Sequence, residues 1–551
     1  MNEYIVTCRS YEDLENLYDD METPGGSLHI PDRAVDLVHR RAISRNTHYM
    51  LTEEEAAEIR NDERVIACER LAKDRGIVPE YFWTQTGDFE KTDGTLDSAD
   101  KNWGLYRVIE GDTVSNWGSD STTEISNRTI VTTSSGKNVD VVIVDAHINP
   151  DHPEFAVNPD GTGGSRVNQF NWFQYNSVLG YGSNGTYTYS TSGASPNSNH
   201  GTHVAGTCCG NTQGWARDSN IYNMAFSDTL SGVTDWDEKL WDYLRHFHKN
   251  KAINSATGRR NPTITNHSWG YSFNPISLSN VSAVVYRGTN TSVSGSDAQR
   301  KTTLEDNGCP VWNGIQLRSM PARIAAVDAD IQDAINDGVI VISAAGNSYW
   351  NCDVNGGPDY SNYVVTNIGT IAHSTGSTPA AADNVICVGN IGSKVAEYKR
   401  NSSNWGARLD IWAPGTDIVS AVYDYSSASG YGSRVADSRN GSYYFASISG
   451  TSMASPQVCG IIACLAEQEP YLTQAEALQH LKENALAEVG TTGTINHSTY
   501  EAFGSSNNRY LFMPKKRPET GTLSPAFLHK NRNSDSAGIK YPRVRNNRVF
   551  K

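Results

Sequence analysis

The sequence predicts an α/β protein whose main body is a mostly parallel, doubly wound sheet flanked by helices. Three runs carry that prediction. VDVVIVD (139–145), VIVISAAGN (339–347) and VICVGNIG (385–392) are almost unbroken apolar, β-branched segments, the pattern of strands covered on both faces. Helical periodicity lies between and after them. ARIAAVDADIQDAINDG (322–338) is amphipathic and closes on a glycine, and PQVCGIIACLAEQ (456–468) is apolar on every side, so it belongs in the interior. Strand–helix alternation of this kind puts ligand sites at the carboxyl ends of the strands.

Ahead of this body, residues 1–71 read as a separate small α+β unit of the ferredoxin-like kind, with helices on one face of an antiparallel sheet. YIVTCRS (4–10), THYML (47–51) and VIACERL (65–71) alternate as strands. SYEDLENLYDDM (10–21) and TEEEAAEIRNDE (52–63) read as helices, the second opened by a Thr52/Glu55 capping box. Residues 72–101 turn polar and lose the pattern, as a linker does. The body then spans 102–488. Within it TITNHSWG (263–270) reads as a strand running into a loop, and HVAGTCCG (203–210) as the start of a short helix. The Gly-, Ser-, Asn- and Tyr-rich inserts 160–197, 271–320 and 424–446 read as surface loops. Residues 489–551 form a C-terminal extension.

Charge is unevenly placed. From Asn508 onward the extension carries 11 Lys and Arg against two acidic residues, although the 551-residue chain has a net charge of −15. A basic, irregular tail therefore follows an acidic body. It reads as a solvated extension or as a docking element for an acidic surface, whether an assembly partner or a nucleic acid. No apolar run approaches the ~18 residues of a membrane span, and the N-terminus is acidic rather than basic and apolar. No membrane partner is expected; the chain reads as intracellular or associated with a particle such as a virion. Nine cysteines without CxxC spacing suggest a reducing compartment, with Cys309 and Cys352 the one pair to examine for a bridge.

Three polar groups sit where such a sheet would present a site. Asp145 ends a buried strand, and a carboxylate there is costly unless paired. His200 lies in NHGTHVAG among small residues, and Ser452 lies in SGTSMASP ahead of the buried helix. Singly, each also fits a helix cap or a helix-terminal polar group. Jointly they are the parts of an acyl-transfer site. A serine hydroxyl needs an imidazole as general base, and the imidazole needs a buried carboxylate to fix its tautomer.

Four motifs in the order Asp, His, Asn, Ser resemble those of the subtilisin-like serine proteases, the subtilases: VIVDAHINPDHPEF, NHGTHVAGT, ISAAGNS and SGTSMASP. The resemblance implies a subtilisin-like fold and a serine endopeptidase, with polypeptide substrates. It makes Asp145 the residue that orients His200, His200 the general base, Ser452 the nucleophile and Asn347 the side-chain donor to the oxyanion. Ser268, Trp269 and Gly270 match the strand that pairs with substrate backbone, although Trp269 also fits plain core packing. His203 reads as structural. Residues 3–70 resemble the inhibitory propeptide of many subtilases, so the chain's own N-terminal unit is an implied partner. Processing is then expected between about Leu71 and Trp103. No cofactor is implied for catalysis; structural calcium occurs in the family, but no ligand loop is legible, and metal ligands stay unassigned.

One departure stands inside the aspartate motif. The family usually has Gly two residues after the Asp, and this chain has His147, which is expected to crowd the site or shift the carboxylate. It keeps a second reading open, a silent or latent subtilase scaffold acting as an interaction protein in a larger assembly. Against that reading, all four catalytic groups are present.

Overall fold

In the computed structural model the chain separates into two units, Met1–Tyr81 and Phe82–Lys551. The structure describes residues 1–28, 37–40, 45–70, 83–90, 102–111, 124–132, 134–189, 196–225, 236–392, 398–423, 434–487, 500–501 and 506–513.

The first unit runs β1 (Asn2–Cys8), α1 (Tyr11–Glu22), β2 (Leu37–Arg40), β3 (Asn46–Leu51), α2 (Glu53–Arg60) and β4 (Val65–Arg70). The strands form one antiparallel sheet in the order β2-β3-β1-β4. Alternate residues of β1 and β3 meet the inner faces of α1 and α2 in a core that includes Val6, Leu17, Met21, Leu51 and Ile59. Ser10 caps α1 by accepting from the Asp13 amide at 3.0 Å. The Thr52/Glu55 box opens α2 as expected, with reciprocal bonds of 2.7 and 3.2 Å. Strand β2 is an addition to the sequence reading. LVHR is short and at the sheet edge, so its identity comes from pairing with β3 rather than from its own pattern.

The second unit begins with β5 (Trp83–Glu90), α3 (Trp103–Glu110) and β6 (Glu124–Thr132). β5 pairs antiparallel with β6, so part of the stretch read as linker is strand. TQTGDFE has no apolar alternation, and the strand is made by a distant partner. The central sheet follows: β7 (Asp140–Asp145), α4 (Pro196–Cys209), β8 (Asn220–Ala225), α5 (Trp236–Asn250), β9 (Thr263–His267), α6 (Ala325–Asn336), β10 (Ile340–Ala344), β11 (Ile386–Ile391) and β12 (Ile411–Pro414). Its order is β12-β11-β10-β9-β7-β8, and each of these pairs is parallel. The chain starts in the middle at β7, steps out to β8, then returns past β7 to β9 and onward. This reversal makes a crevice at the carboxyl ends of β7 and β9.

β13 (Ile418–Val422) and β14 (Asn440–Ile448) pair antiparallel and lead into α7 (Thr451–Gln468). All six residues of β7 are buried. So are 15 of the 18 residues of α7, which matches a helix apolar on all sides. No helix among the described residues is long and apolar enough to cross a membrane.

Two expectations need correction, the first and third, and one open pairing, the second, is answered. The insert 271–320 is not loop: Val281–Tyr286 and Thr289–Ser292 join Tyr363–Thr366 and Gly369–Ala372 in an antiparallel sheet. A Ser296/Gln299 capping box starts the helix Asp297–Glu305. Strands Arg434–Asp437 and β14 likewise occupy much of 424–446. Polar composition hid these elements because their outer faces are solvated. Second, all nine cysteines are free and buried; Cys309 faces His373 Nε2 at 3.5 Å and Cys352 its neighbour's carbonyl, Trp350 O, at 3.7 Å. Third, the body does not end at 488. Tyr510 and Leu511 are fully buried, with the Arg107 guanidinium 4.3 Å above the Tyr510 ring. Residues 514–551, which hold most of the basic tail, lie outside the described residues.

Candidate active site

Strand register sets the geometry. His267 of β9 lies opposite Val144 of β7, so Ser268 leaves its strand level with Asp145. Asp145 is 3% exposed. Its Oδ1 receives the Ala146 amide at 2.7 Å and lies 2.8 Å from His200 Nδ1. His200 stands in the early turns of α4, its side chain 30% exposed. The helix began earlier than HVAGTCCG suggested, at Pro196.

The approach of α4 to the loop after β7 depends on Gly201. A Cβ there would stand 2.5 Å from the Ala146 carbonyl oxygen and 2.9 Å from that of His147, so only glycine fits. Asn223 of β8 fixes the same loop from the other side. It donates to the Ala146 carbonyl and accepts from the Ile148 amide, both at 3.1 Å. Thr202 Oγ1 accepts from the Asn149 amide at 3.1 Å.

Burial pulls the His200 pKa down, but the charge and hydrogen bond of Asp145 outweigh it and hold the imidazole above the ordinary histidine value. His203, three residues on, is a different case. It is wholly buried, its Nε2 spans the Ile418 and Ala446 carbonyls at 3.0 and 3.1 Å, and burial pushes its pKa down to about 3. It ties β13 to β14 and is structural, as the sequence suggested.

Ser452 is the second residue of α7. Its hydroxyl donates to the Ser268 carbonyl at 3.2 Å, and its own carbonyl accepts from Ser268 Oγ at 2.9 Å. The structure therefore joins Asp145 to His200 directly and Ser452 to Ser268, with no Ser452–His200 hydrogen bond among the described residues. At the helix start the Thr451 amide goes to Asn347 Oδ1 at 2.9 Å and the Met453 amide to the Gly450 carbonyl at 3.0 Å. Thr451 Oγ1 also donates to Asn347 Oδ1, at 3.1 Å. Two donors are left without a hydrogen bond among the described residues, the Ser452 amide and Asn347 Nδ2. A helix N-terminus with such free donors favours negative charge. Gly346, at φ +99°, turns the chain into Asn347, and a Cβ there would meet Asn404 Nδ2 at 2.6 Å.

Ser268, Trp269 and Gly270 form one wall of a cavity of about 160 Å³, with Asn347 and Ser452 among its other lining residues. No charged side chain among the described residues lines it. The Trp269 ring also meets those of His267 and Tyr271 edge-on at 5.8 and 5.7 Å, so it serves packing as well as the cavity. His147 does not crowd the site. Its backbone avoids the left-handed region, and its buried ring packs edge-on against Tyr189, centroids 5.7 Å apart. The 160–197 insert thus supplies the ring that His147 packs against.

Sequence reasoning missed Asn223, Asn266, Thr451, Asn404 and Ser455. The available signal was polarity inside buried runs: Asn266 in TITNH and Ser455 in α7 are both wholly buried, which requires partners.

Residues 136–512 match the subtilase family, Peptidase_S8. The match covers more than half of the chain, and the chain belongs to that family. It is 33% identical over 182 residues to subtilisin-like protease 10 of Arthroderma otae, covering 32% of this chain and 35% of that protein. It is 26% identical over 429 residues to the subtilisin-like serine protease Pen c 2 of Penicillium citrinum, covering 74% and 67%. The matched stretch spans only 25–35% of the length of such relatives as Arthroderma otae protease 10, Arthroderma benhamiae protease 3 and Pseudogymnoascus destructans protease 2. Among solved structures, a cold adapted subtilisin-like serine proteinase aligns at 20% identity and TM-score 0.42, over 74% of this chain and 97% of that one.

Proposed function

We propose that the protein is a serine endopeptidase, with Asp145, His200 and Ser452 as its triad. The observation that carries this is the Asp145–His200 pair at 2.8 Å, together with Ser268, which leaves its strand level with Asp145 and is hydrogen-bonded both ways to Ser452. The Ser452 hydroxyl turns from the Ser268 carbonyl to His200 Nε2, gives up its proton there and attacks the scissile carbonyl. Asp145 accepts from Nδ1–H and stabilises the imidazolium. The Ser452 amide and Asn347 Nδ2 receive the oxyanion. His200 then protonates the leaving amine, and water hydrolyses the acyl-enzyme by the reverse sequence.

Substrate backbone adds as a strand along Ser268–Gly270, and the uncharged cavity accepts an uncharged side chain. The chemistry needs only groups of the chain itself. Residues 1–71 are proposed as an inhibitory prodomain removed by the enzyme's own cleavage between about Leu71 and Trp103, and the basic tail as the contact to an acidic partner.

Intact-mass spectrometry before and after a fluorophosphonate probe tests this, with Ser452→Ala alongside. One adduct on Ser452, with loss of an N-terminal fragment in the wild type alone, is expected. A folded wild type that stays full-length and takes no adduct would overturn the proposal in favour of the scaffold reading.

A further inference from the structure

We propose that the Ser268 side chain is a positioning residue for the nucleophile, replacing a helix hydrogen bond that Pro456 deletes. The inference rests on the serine endopeptidase reading above. Pro456 lies inside α7, four residues after Ser452. An ordinary residue there would donate its amide to the Ser452 carbonyl, and proline has none to donate. Ser452 is only 9% exposed, so its carbonyl needs another donor. Ser268 Oγ supplies it at 2.9 Å, from a different element of the fold.

The direction of that bond is fixed by what lies behind it. Asn266 Nδ2 donates to Ser268 Oγ at 2.9 Å, which occupies the hydroxyl as acceptor and sends its proton toward Ser452. Ser455 Oγ donates to Asn266 Oδ1 at 2.7 Å, which fixes the orientation of the amide. The chain of donors therefore runs Ser455, Asn266, Ser268, Ser452. It leaves α7 and returns to it one turn earlier, and its two middle members sit at the end of β9. Asn266 and Ser455 are wholly buried and Ser268 is 5% exposed, so water does not compete for these bonds.

The result is a clamp on the peptide that follows the nucleophile. That residue carries both the attacking oxygen and one oxyanion donor, and the same serine pair links Ser452 Oγ to the Ser268 carbonyl. Backbone freedom at this point would misplace both groups at once. A misplacement of about 1 Å at a reacting centre costs on the order of 100-fold in rate.

A mutant cycle tests the idea: wild type, Ser268→Ala, Pro456→Ala and the double variant, in the full chain. The readouts are kcat and KM on a peptide substrate, the rate of fluorophosphonate labelling, and thermal melting. Ser268→Ala is expected to lower kcat about 10- to 100-fold with KM within about twofold, since positioning acts in the transition state. In the Pro456→Ala background an amide is available to the Ser452 carbonyl, and the same removal is expected to cost less than about threefold. Equal losses in both backgrounds, or no loss in either, would overturn the inference. Should Ser268→Ala fail to fold, melting of the double variant gives the answer: recovery supports the replacement, and no recovery overturns it. A folded wild type that takes no fluorophosphonate fails the endopeptidase reading itself, and this inference with it.

Discussion

Replacing Asn347 with leucine removes one of the two donors assigned to the oxyanion while keeping the side chain's size. The geometry separates the two halves of the amide. Oδ1 is engaged by the Thr451 amide and hydroxyl at 2.9 and 3.1 Å, and Asn347 lines the cavity shared with Ser452, which leaves Nδ2 as the half of the amide available to donate there. That donor has no ground-state partner among the described residues, so its contribution appears only when negative charge develops. A lost oxyanion donor of this kind costs roughly 2.7–4 kcal/mol, or 10²–10³ in kcat, a range that comes from a subtilisin, a member of the same family. Losing the Oδ1 bonds also loosens the first turn of α7. Asn347→Asp separates that effect, because it keeps an acceptor for Thr451 and lacks the donor. Both variants are expected to lose kcat to a similar extent in steady-state peptide hydrolysis, with KM nearly unchanged. An unchanged kcat, or a loss carried wholly by KM, would refute the assignment of Asn347 to the transition state.

The acid limb of kcat/KM should lie above the ordinary histidine pKa, because Asp145 holds His200 protonated to higher pH and only the neutral imidazole is a base. Activity is then lost as pH falls through that raised value. Asp145→Asn should move the limb to lower pH and cut kcat by about 10⁴; a limb that stays in place would mean another group sets it. His147→Gly should leave peptide turnover within about threefold of wild type, since the ring packs on Tyr189 rather than on the catalytic pair. It should lower the melting temperature, because the buried ring leaves a cavity. A large gain in kcat on that substitution would show that the histidine does crowd the site.

The central sheet was legible because its strands are buried on both faces. VVIV before Asp145 and VIVIS before Asn347 leave little choice of structure, and each leads to a residue of the proposed site. The inserts were not legible for the opposite reason. Thr289–Ser292 is almost entirely exposed and reads as loop until its pairing with Val281–Tyr286 is seen. The site residues themselves came from motifs, but their orientation did not. Nothing local in TITNHSWG says that Asn266 answers to Ser455, or that Ser268 answers to a proline far along the chain. Such bonds are properties of the packed interior, and sequence shows only that the polar atoms must be satisfied. His147 is the instructive case. The local rule asked for glycine, yet the His147 backbone stays out of the left-handed region and its ring packs against a tyrosine some 40 residues away.

The Asp145–His200 pair also bears on which inactive variant is informative. Asp145 is buried, its Oδ2 has no hydrogen bond among the described residues, and His200 is its only charge partner among the ion pairs of the described residues. Removing His200 would leave the buried carboxylate with the Ala146 amide and no charge partner, which destabilises the loop after β7. An apolar pair of similar volume is often no less stable than a buried ion pair, so stability alone gives little reason to keep this one. A scaffold that had no use for the chemistry could lose it without penalty. His200→Ala would thus confound lost catalysis with lost folding. Ser452→Ala removes one hydroxyl whose hydrogen bond to the Ser268 carbonyl, at 3.2 Å, is long for an O–H donor, so the fold should tolerate it. Loss of N-terminal processing in Ser452→Ala with an unchanged melting curve would therefore be a statement about chemistry, whereas the same loss in His200→Ala would not.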